Sequence, residues 1–417
     1  MSMNEFSFID KRLATVFITL FVVALGFGVI LPVLPFFTER LAFGEGVSSV
    51  EITYHIGFLT SVYPFFQMLF APLWGRWSDR VGRKSLMLIG IAGFVLMQLL
   101  IGAATSFWLL YLARIIGGIF TSAIIPVGYA LISDLTSADK RSLGIALGGT
   151  SYSLGIVVGP FIGGLLSQRD WHWNLQWGHF LINGSSIPFF FLTIIGLLLF
   201  PLVNRGLQNE AAFLLAEKPK RSRASTWYQR VRDLLPILFL SFIYQIALTL
   251  FEAVFSIFSK NELQYNAATI GYGFMVCALV MALLQPLVVS TRIKKIISGR
   301  KQIILGFGIF GVGVLLLLLT DQLLYVFLFI GLLAAGGAFI TPNVTSLISL
   351  KGEEVAGEAL GIQKSTDSLG QVIGPIIGSW LLTLNTSLPY FLVGTVVIVV
   401  AIFLFTSKKF VALYEGN

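Results

Sequence analysis

Among the few ionisable side chains inside the long apolar runs of this sequence, Arg114, Glu252 and Asp367 stand out. Placing such a group within a membrane-spanning helix costs roughly 2.5–3.5 kcal/mol on insertion scales, so each is a functional candidate by default. The chemistry open to the two carboxyls is proton uptake and release. Glu252 is flanked by Phe251 and Phe255, with Tyr244 and Gln245 two turns earlier, and aromatic surroundings suit a carboxyl that must load and unload a proton. Asp367 has Lys364 one turn before it, so it either carries a proton or is satisfied as a local pair. Arg114 either tunes the carboxyls or binds an anion, or it bonds backbone carbonyls and glutamine side chains.

Covalent chemistry has no footing here. There is no Ser-His-Asp set, no His-Glu-x-x-His and no acid pair at catalytic spacing, and His55, His172 and His179 fall at run ends or in loops. A single cysteine, Cys277, permits no intramolecular disulfide and no cysteine-based metal site. No Gly-x-x-x-x-Gly-Lys-Ser/Thr stretch offers a nucleotide site. The reading is therefore not an enzyme, with no metal and no cofactor, and with an ion gradient as the energy source.

The elements that must position these residues are membrane helices. The chain is 56% apolar and 12% charged, far from the roughly 45–50% and 25% of soluble domains. Runs long enough to span a bilayer, about 20 residues each, cover 12–37, 53–74, 85–105, 107–133, 143–167, 178–200, 234–259, 269–291, 302–319, 322–350, 357–384 and 389–406. The first follows Lys11 and Arg12 but has no small-residue cleavage site, and reads as a retained helix. The net charge of +8 gathers on one side of these spans, with Arg40, Arg169 and Lys260 alone opposite. That asymmetry puts both termini in the cytoplasm and accounts for the basic balance without nucleic acid. Trp108, Trp171, Trp173 and Trp177 fall at outer ends, where an interfacial aromatic belt belongs.

The spans fall into two sets. Residues 1–200 form one six-helix bundle, 201–233 a basic cytoplasmic linker and 234–417 the second bundle. The sets repeat one another: Ser153–Gly163 and Ser368–Gly378 agree at eight of eleven positions, at a constant offset of 215. Pro126 and Pro342 correspond, as do Gly82-Arg83-Lys84 and Gly299-Arg300-Lys301. The fold class is all-α, with twelve transmembrane helices in two pseudo-symmetric bundles. Parallel repeats of this kind place a substrate site where the halves meet and let them rock around it.

Four motifs carry a resemblance. Gly75-Arg76-Trp77-Ser78-Asp79-Arg80-Val81-Gly82-Arg83-Lys84 lies in the loop between the second and third spans, and resembles the signature of the major facilitator superfamily. The fifth span holds Gly155-x-x-x-Gly159-Pro160-x-x-Gly163-Gly164, similar to the motif of its antiporter branch; the first holds Gly26-Phe27-Gly28-Val29-Ile30-Leu31-Pro32-Val33-Leu34-Pro35, and the fourth Arg114 with Gly117 and Gly118. Together they resemble the twelve-helix drug:proton antiporter family, which includes multidrug and tetracycline efflux proteins.

The resemblance implies a major facilitator fold and a conformational latch of Gly75, Asp79, Arg80, Gly82, Arg83 and Asp134, in which Asp79 faces the start of the eleventh span and Arg83 pairs with Asp134. It also likens Glu252 to a seventh-span glutamate of Gram-positive multidrug exporters. An aspartate of tetracycline exporters is replaced here by Val23, and an acid of some multidrug relatives by Ala338, which argues against a metal-chelate substrate. The expected lining is Phe27, Tyr63, Gln67, Tyr152, Tyr244, Gln245, Phe251, Phe255 and Gln285, whose aromatic surfaces with sparse polar groups suit amphipathic ligands. The function so implied is proton-driven export of hydrophobic or cationic small molecules from the plasma membrane. The alternative is a dedicated exporter or importer of one metabolite, sugar or lipid precursor. Protons, the substrate and membrane lipids are the expected partners, and one chain holds both halves and can work as a monomer.

Overall fold

The computed structural model describes residues 10–137, 140–167, 175–177, 180–182, 184–207, 227–352 and 356–407. The long apolar runs become helices, because a backbone in hydrocarbon must satisfy its own N–H and C=O groups. The first half contains α1 (Lys11–Glu45), α2 (Ser49–Val81), α3 (Arg83–Gly102), α4 (Phe107–Phe120), a 3-10 turn (Thr121–Ala123), α5 (Ile124–Leu135), α6 (Arg141–Leu166), the strands β1 (Leu175–Trp177) and β2 (Phe180–Ile182), and α7 (Ile187–Gly206). The second half contains α8 (Trp227–Asn261), α9 (Ala267–Val288), the short α10 (Thr291–Ile296), α11 (Gly299–Leu316), a 3-10 turn (Leu317–Leu319), α12 (Leu323–Gly352), α13 (Ala356–Leu384) and α14 (Leu388–Thr406).

Among the described residues, eleven spans are long and apolar enough to cross a membrane; α4 and α5 together make one of them. α13 is the twelfth. Its 29 residues rise about 43 Å at ~1.5 Å each, ample for a hydrocarbon core of about 30 Å, although Lys364 and Asp367 make its first turns polar. The chain is thus an all-α membrane protein of twelve spans, apart from one small hairpin.

Local chemistry sets the ends and breaks. Asp10 caps α1 by accepting from the Leu13 N–H at 2.9 Å, and Ser48 and Glu51 form a capping box at α2. Pro126 cannot donate to Ser122 and crowds its carbonyl; the span therefore tightens into the 3-10 turn between α4 and α5, where the Thr121 and Ser122 hydroxyls donate to Gly117 O and Ile119 O.

Two expectations are corrected. Residues 75–84 are not a loop: α2 stays helical to Val81, and Gly82 alone, at φ 96°, turns the chain into α3. The sixth span begins at Ile187 rather than 178, because Leu175–Trp177 and Phe180–Ile182 pair antiparallel, Trp177 opposite Phe180, and Pro188 then opens α7. Trp108 at the start of α4 is 83% exposed, whereas Trp171 and Trp173 lie outside the described residues. Of the expected linker 201–233, α7 takes the part up to Gly206 and α8 the part from Trp227; residues 208–226 lie outside the described ones.

The chain divides into two compact units, residues 1–55, 62–218 and 265–272 in the first, and 56–61, 219–264 and 273–417 in the second. Each has its own aromatic core. In the first, Phe37 meets Phe189 edge to face at 5.9 Å; in the second, Tyr244 meets Phe310 in the same manner at 5.7 Å.

Each unit also has a small-residue seam. Gly155, Gly159 and Gly163 lay α6 against the α1 backbone from Phe21 to Val29, and a Cβ at Gly159 would stand 2.6 Å from Leu25 O. Gly370, Gly374 and Gly378 lay α13 against α8, where Gln245, Thr249 and Leu250 contribute side chains. The repeated sequence thus packs on the first helix of its own half in both cases. In the second unit a buried amide pair adds a fastening: Asn343 Nδ2 donates to Gln302 Oε1 at 2.6 Å, and Gln302 Nε2 holds Val288 O and Ile297 O.

Candidate functional site

In the first unit the candidate residues of α1, α2, α4 and α6 gather around Tyr63. Arg114 is 3% exposed, and its guanidinium carbon stands 4.9 Å above the Tyr63 ring. A desolvated cation over an aromatic face is worth about 2 kcal/mol or more. The Tyr63 hydroxyl is held 2.6 Å from Thr121 Oγ1, and the Phe27 ring lies 5.8 Å away, tilted.

Gly117 and Gly118 make this approach possible. A Cβ at Gly118 would stand 2.6 Å from Tyr63 O, so α4 can lie this close to α2 only with glycine there. Tyr152 on α6 lies within electrostatic reach of Tyr63. Gln67 is half-buried one turn beyond Tyr63, on the same helix face. Thr121, which fixes the tyrosine, escaped the sequence reading, since nothing local marks it.

In the second unit Glu252 is half-buried on α8, and its sequence neighbours Phe251 and Phe255 are 2% and 1% exposed. Those two rings stack at 5.4 Å, and Phe255 meets Phe274 of α9 edge to face. Tyr244 lies within electrostatic reach of both Glu252 and Asp367, so the two carboxyls flank one buried phenol. Gly337 leaves room for its hydroxyl. Gln245 turns instead to the α13 seam at Gly370, and Gln285 is half-buried on α9.

Asp367 has a partner that sequence reading did not find. Ser241 Oγ on α8 donates to Asp367 Oδ1 at 2.7 Å, while Gln363 Nε2 lies 3.2 Å from Ser241 Oγ and 3.0 Å from Thr345 Oγ1. A chain of hydrogen bonds therefore joins α12, α13 and α8. Among the described residues the carboxyl accepts from Ser241, and Lys364 on its own helix lies within electrostatic reach of it. The readable signal was Gln363, one turn from Asp367 on the same face; Ser241 is 126 residues away.

At the α2–α3 turn, Arg83 Nε donates to Asp134 Oδ2, closing an ion pair with the end of α5. Arg83 also reaches Ser78 Oγ at 3.2 Å, and Ser78 donates to Gly75 O. Asp79 and Arg80 lie in the last turn of α2; their side chains are outside the described residues. Of the α6 glycines and proline, Gly155, Gly159 and Gly163 form the seam with α1, Pro160 sits inside the helix, and Gly164 follows Gly163.

The family model of the Major Facilitator Superfamily matches residues 16–296 and 237–412. Tetracycline resistance protein, class E, of Escherichia coli is 29% identical over 378 residues, covering 89% of this chain and 88% of that protein. Multidrug resistance protein 2 of Bacillus subtilis (strain 168) is 27% identical over 403 residues, covering 92% and 93%. Among solved structures, a D-xylose–proton symporter matches with a TM-score of 0.76 over 99% of this chain and 100% of that one, at 16% identity. That last likeness is one of fold.

Proposed function

Because this chain belongs to the Major Facilitator Superfamily, we propose that it is a proton-coupled exporter of hydrophobic, neutral or cationic small molecules. The observation that carries the reading is Glu252: a half-buried carboxyl in a membrane span, next in sequence to the buried Phe251 and three residues before the buried Phe255, with Tyr244 in reach. Similarity to tetracycline and multidrug resistance proteins along most of the chain supports export as the direction.

In this reading a proton neutralises Glu252 and favours one orientation of the transporter, and substrate binding after deprotonation favours the other. A ligand can drive such a change only through its different affinity for the two states. Asp367, with its Ser241 partner, is the second proton-carrying group, and Arg114 over Tyr63 is the fixed positive charge of the other unit. Where tetracycline exporters carry an aspartate this chain has the buried Val23, and Ala338 is likewise buried and apolar. An apolar organic cation therefore fits better than a metal chelate. Arg83 and Asp134 form the part of the latch that opens and closes with the cycle. In the same reading the protein works in the plasma membrane as a monomer with both termini cytoplasmic, and draws on the proton gradient alone.

The test is transport of a fluorescent cationic dye into inside-out vesicles under a proton gradient, with Glu252→Gln beside the intact protein. Gradient-dependent accumulation that fails in the variant is the expected result. Accumulation indifferent to the variant would move coupling to Asp367, and no dye transport by either protein would favour a carrier dedicated to one metabolite.

A further inference from the structure

The second unit has a groove on the face of α11, α12 and α14 that the transport reading does not use. It has a volume of about 470 Å³ and is lined by apolar residues alone, among them Ile304, Gly308 and Val312 of α11, Leu332 of α12, and Ile398 and Phe405 of α14. Gly311 and Gly394 bring α11 and α14 into close contact: a Cβ at Gly311 would stand 2.7 Å from Gly394 O. The groove lies mainly on the side of that crossing where α11 begins and α14 ends. Gly308 opens it, because a Cβ built there meets nothing within 4 Å.

The start of the groove is positively charged. On α11 the lining residues 304, 305, 308 and 312 form one stripe, and the exposed Lys301 continues that stripe one turn toward the helix start. Arg292, Lys294 and Lys295, all exposed, precede it on α10, and the sequence contains no acidic residue between Glu262 and Asp321. An apolar slot running about 12 Å along α11 from residue 304 to 312, at ~1.5 Å per residue, thus ends one turn short of Lys301, on a stretch of chain that carries cations and no acid. That pairing matches one kind of molecule: a long apolar chain carrying a negative head.

We propose that this groove binds an anionic phospholipid, its acyl chain against Gly308 and its phosphate at Lys301. The test uses full-length protein in phosphatidylcholine bilayers containing phosphatidylglycerol with a photoactivatable acyl chain, with labelled peptides mapped by mass spectrometry. A phosphatidylcholine probe with the same chain is the control. Label should concentrate on residues 304–312 and 398–405. Gly308→Leu should remove most of it by filling the slot, while Lys301→Gln should lower phosphatidylglycerol labelling roughly fivefold, as expected for the loss of one surface cation, and leave phosphatidylcholine labelling unchanged. Both variants are checked for wild-type elution and thermal stability. Equal labelling by the two lipids, or labelling indifferent to Gly308→Leu, overturns the proposal. Cross-links between two copies across this face overturn it in favour of a chain–chain contact.

Discussion

Ser241 has one hydrogen to give, and Asp367 receives it while Gln363 donates to the same oxygen. Asp367 Oδ1 can accept from Ser241 whether the carboxyl is charged or neutral, since a proton can sit on Oδ2, and the bond is stronger to the charged form. A hydrogen bond to a charged group is worth roughly 1.5–3 kcal/mol. We therefore expect Ser241→Ala to slow proton-driven transport about tenfold or more, with normal expression, and Gln363→Leu to act in the same direction with a smaller effect. Initial rates in vesicles at matched protein content measure both. The carboxyl itself was legible, because a charge inside an apolar run stands out in any sequence. Its partner was not, because a serine is common in membrane helices and this one comes from a different helix. Tyr63 and Thr121 repeat the lesson: the ring beside Arg114 was singled out, and the hydroxyl that orients it was silent.

At the scale of elements, individual glycines along the two repeated seams differ in how much they can tolerate. Gly159 of α6 faces main-chain atoms of α1, Leu25 O at 2.6 Å and Gly28 Cα at 2.8 Å from an added Cβ, and backbone in a helix cannot yield. Gly378 of α13 faces the Leu250 and Val254 side chains at 2.8 and 2.9 Å, which can rotate. Gly159→Ala should therefore cost about 1–3 kcal/mol, the usual range for overpacking, and Gly378→Ala distinctly less, as read from melting temperatures in one detergent. Equal losses would mean that the facing atoms, backbone or side chain, do not set the cost. The helices themselves were legible because a bilayer demands long apolar runs, and the duplication because eight of eleven residues survive in it. The hairpin was hidden: Phe180-Leu181-Ile182 is as apolar as the first turn of a span, and hydropathy does not distinguish a short strand from a helix start. The turn at Gly82 was missed for the opposite reason. A polar, charged stretch looks like a loop, yet all but the glycine is helical.

At the scale of the whole chain, orientation follows from where the positive charges fall, and it can be read with two new thiols. In a Cys277→Ser background, Lys294→Cys on α10 and Asn385→Cys between α13 and α14 both stand exposed. A membrane-impermeant maleimide should label Asn385→Cys from outside intact cells and Lys294→Cys only in inside-out vesicles; the reverse pattern would invert the topology. The two halves repeat one sequence, and a tie is found at each of the corresponding segments Gly82-Arg83-Lys84 and Gly299-Arg300-Lys301. One is tied by the Arg83–Asp134 ion pair, its side chains 24% and 37% exposed; the other is tied at the next residue by the buried amides of Gln302 and Asn343. Dissolved ions weaken the first tie and leave the second untouched, since salt screens exposed charges and not a neutral contact shut away from water. Two ties at corresponding places in a repeated chain therefore answer differently to ionic strength: added salt loosens the Arg83–Asp134 pair and spares the Gln302–Asn343 contact.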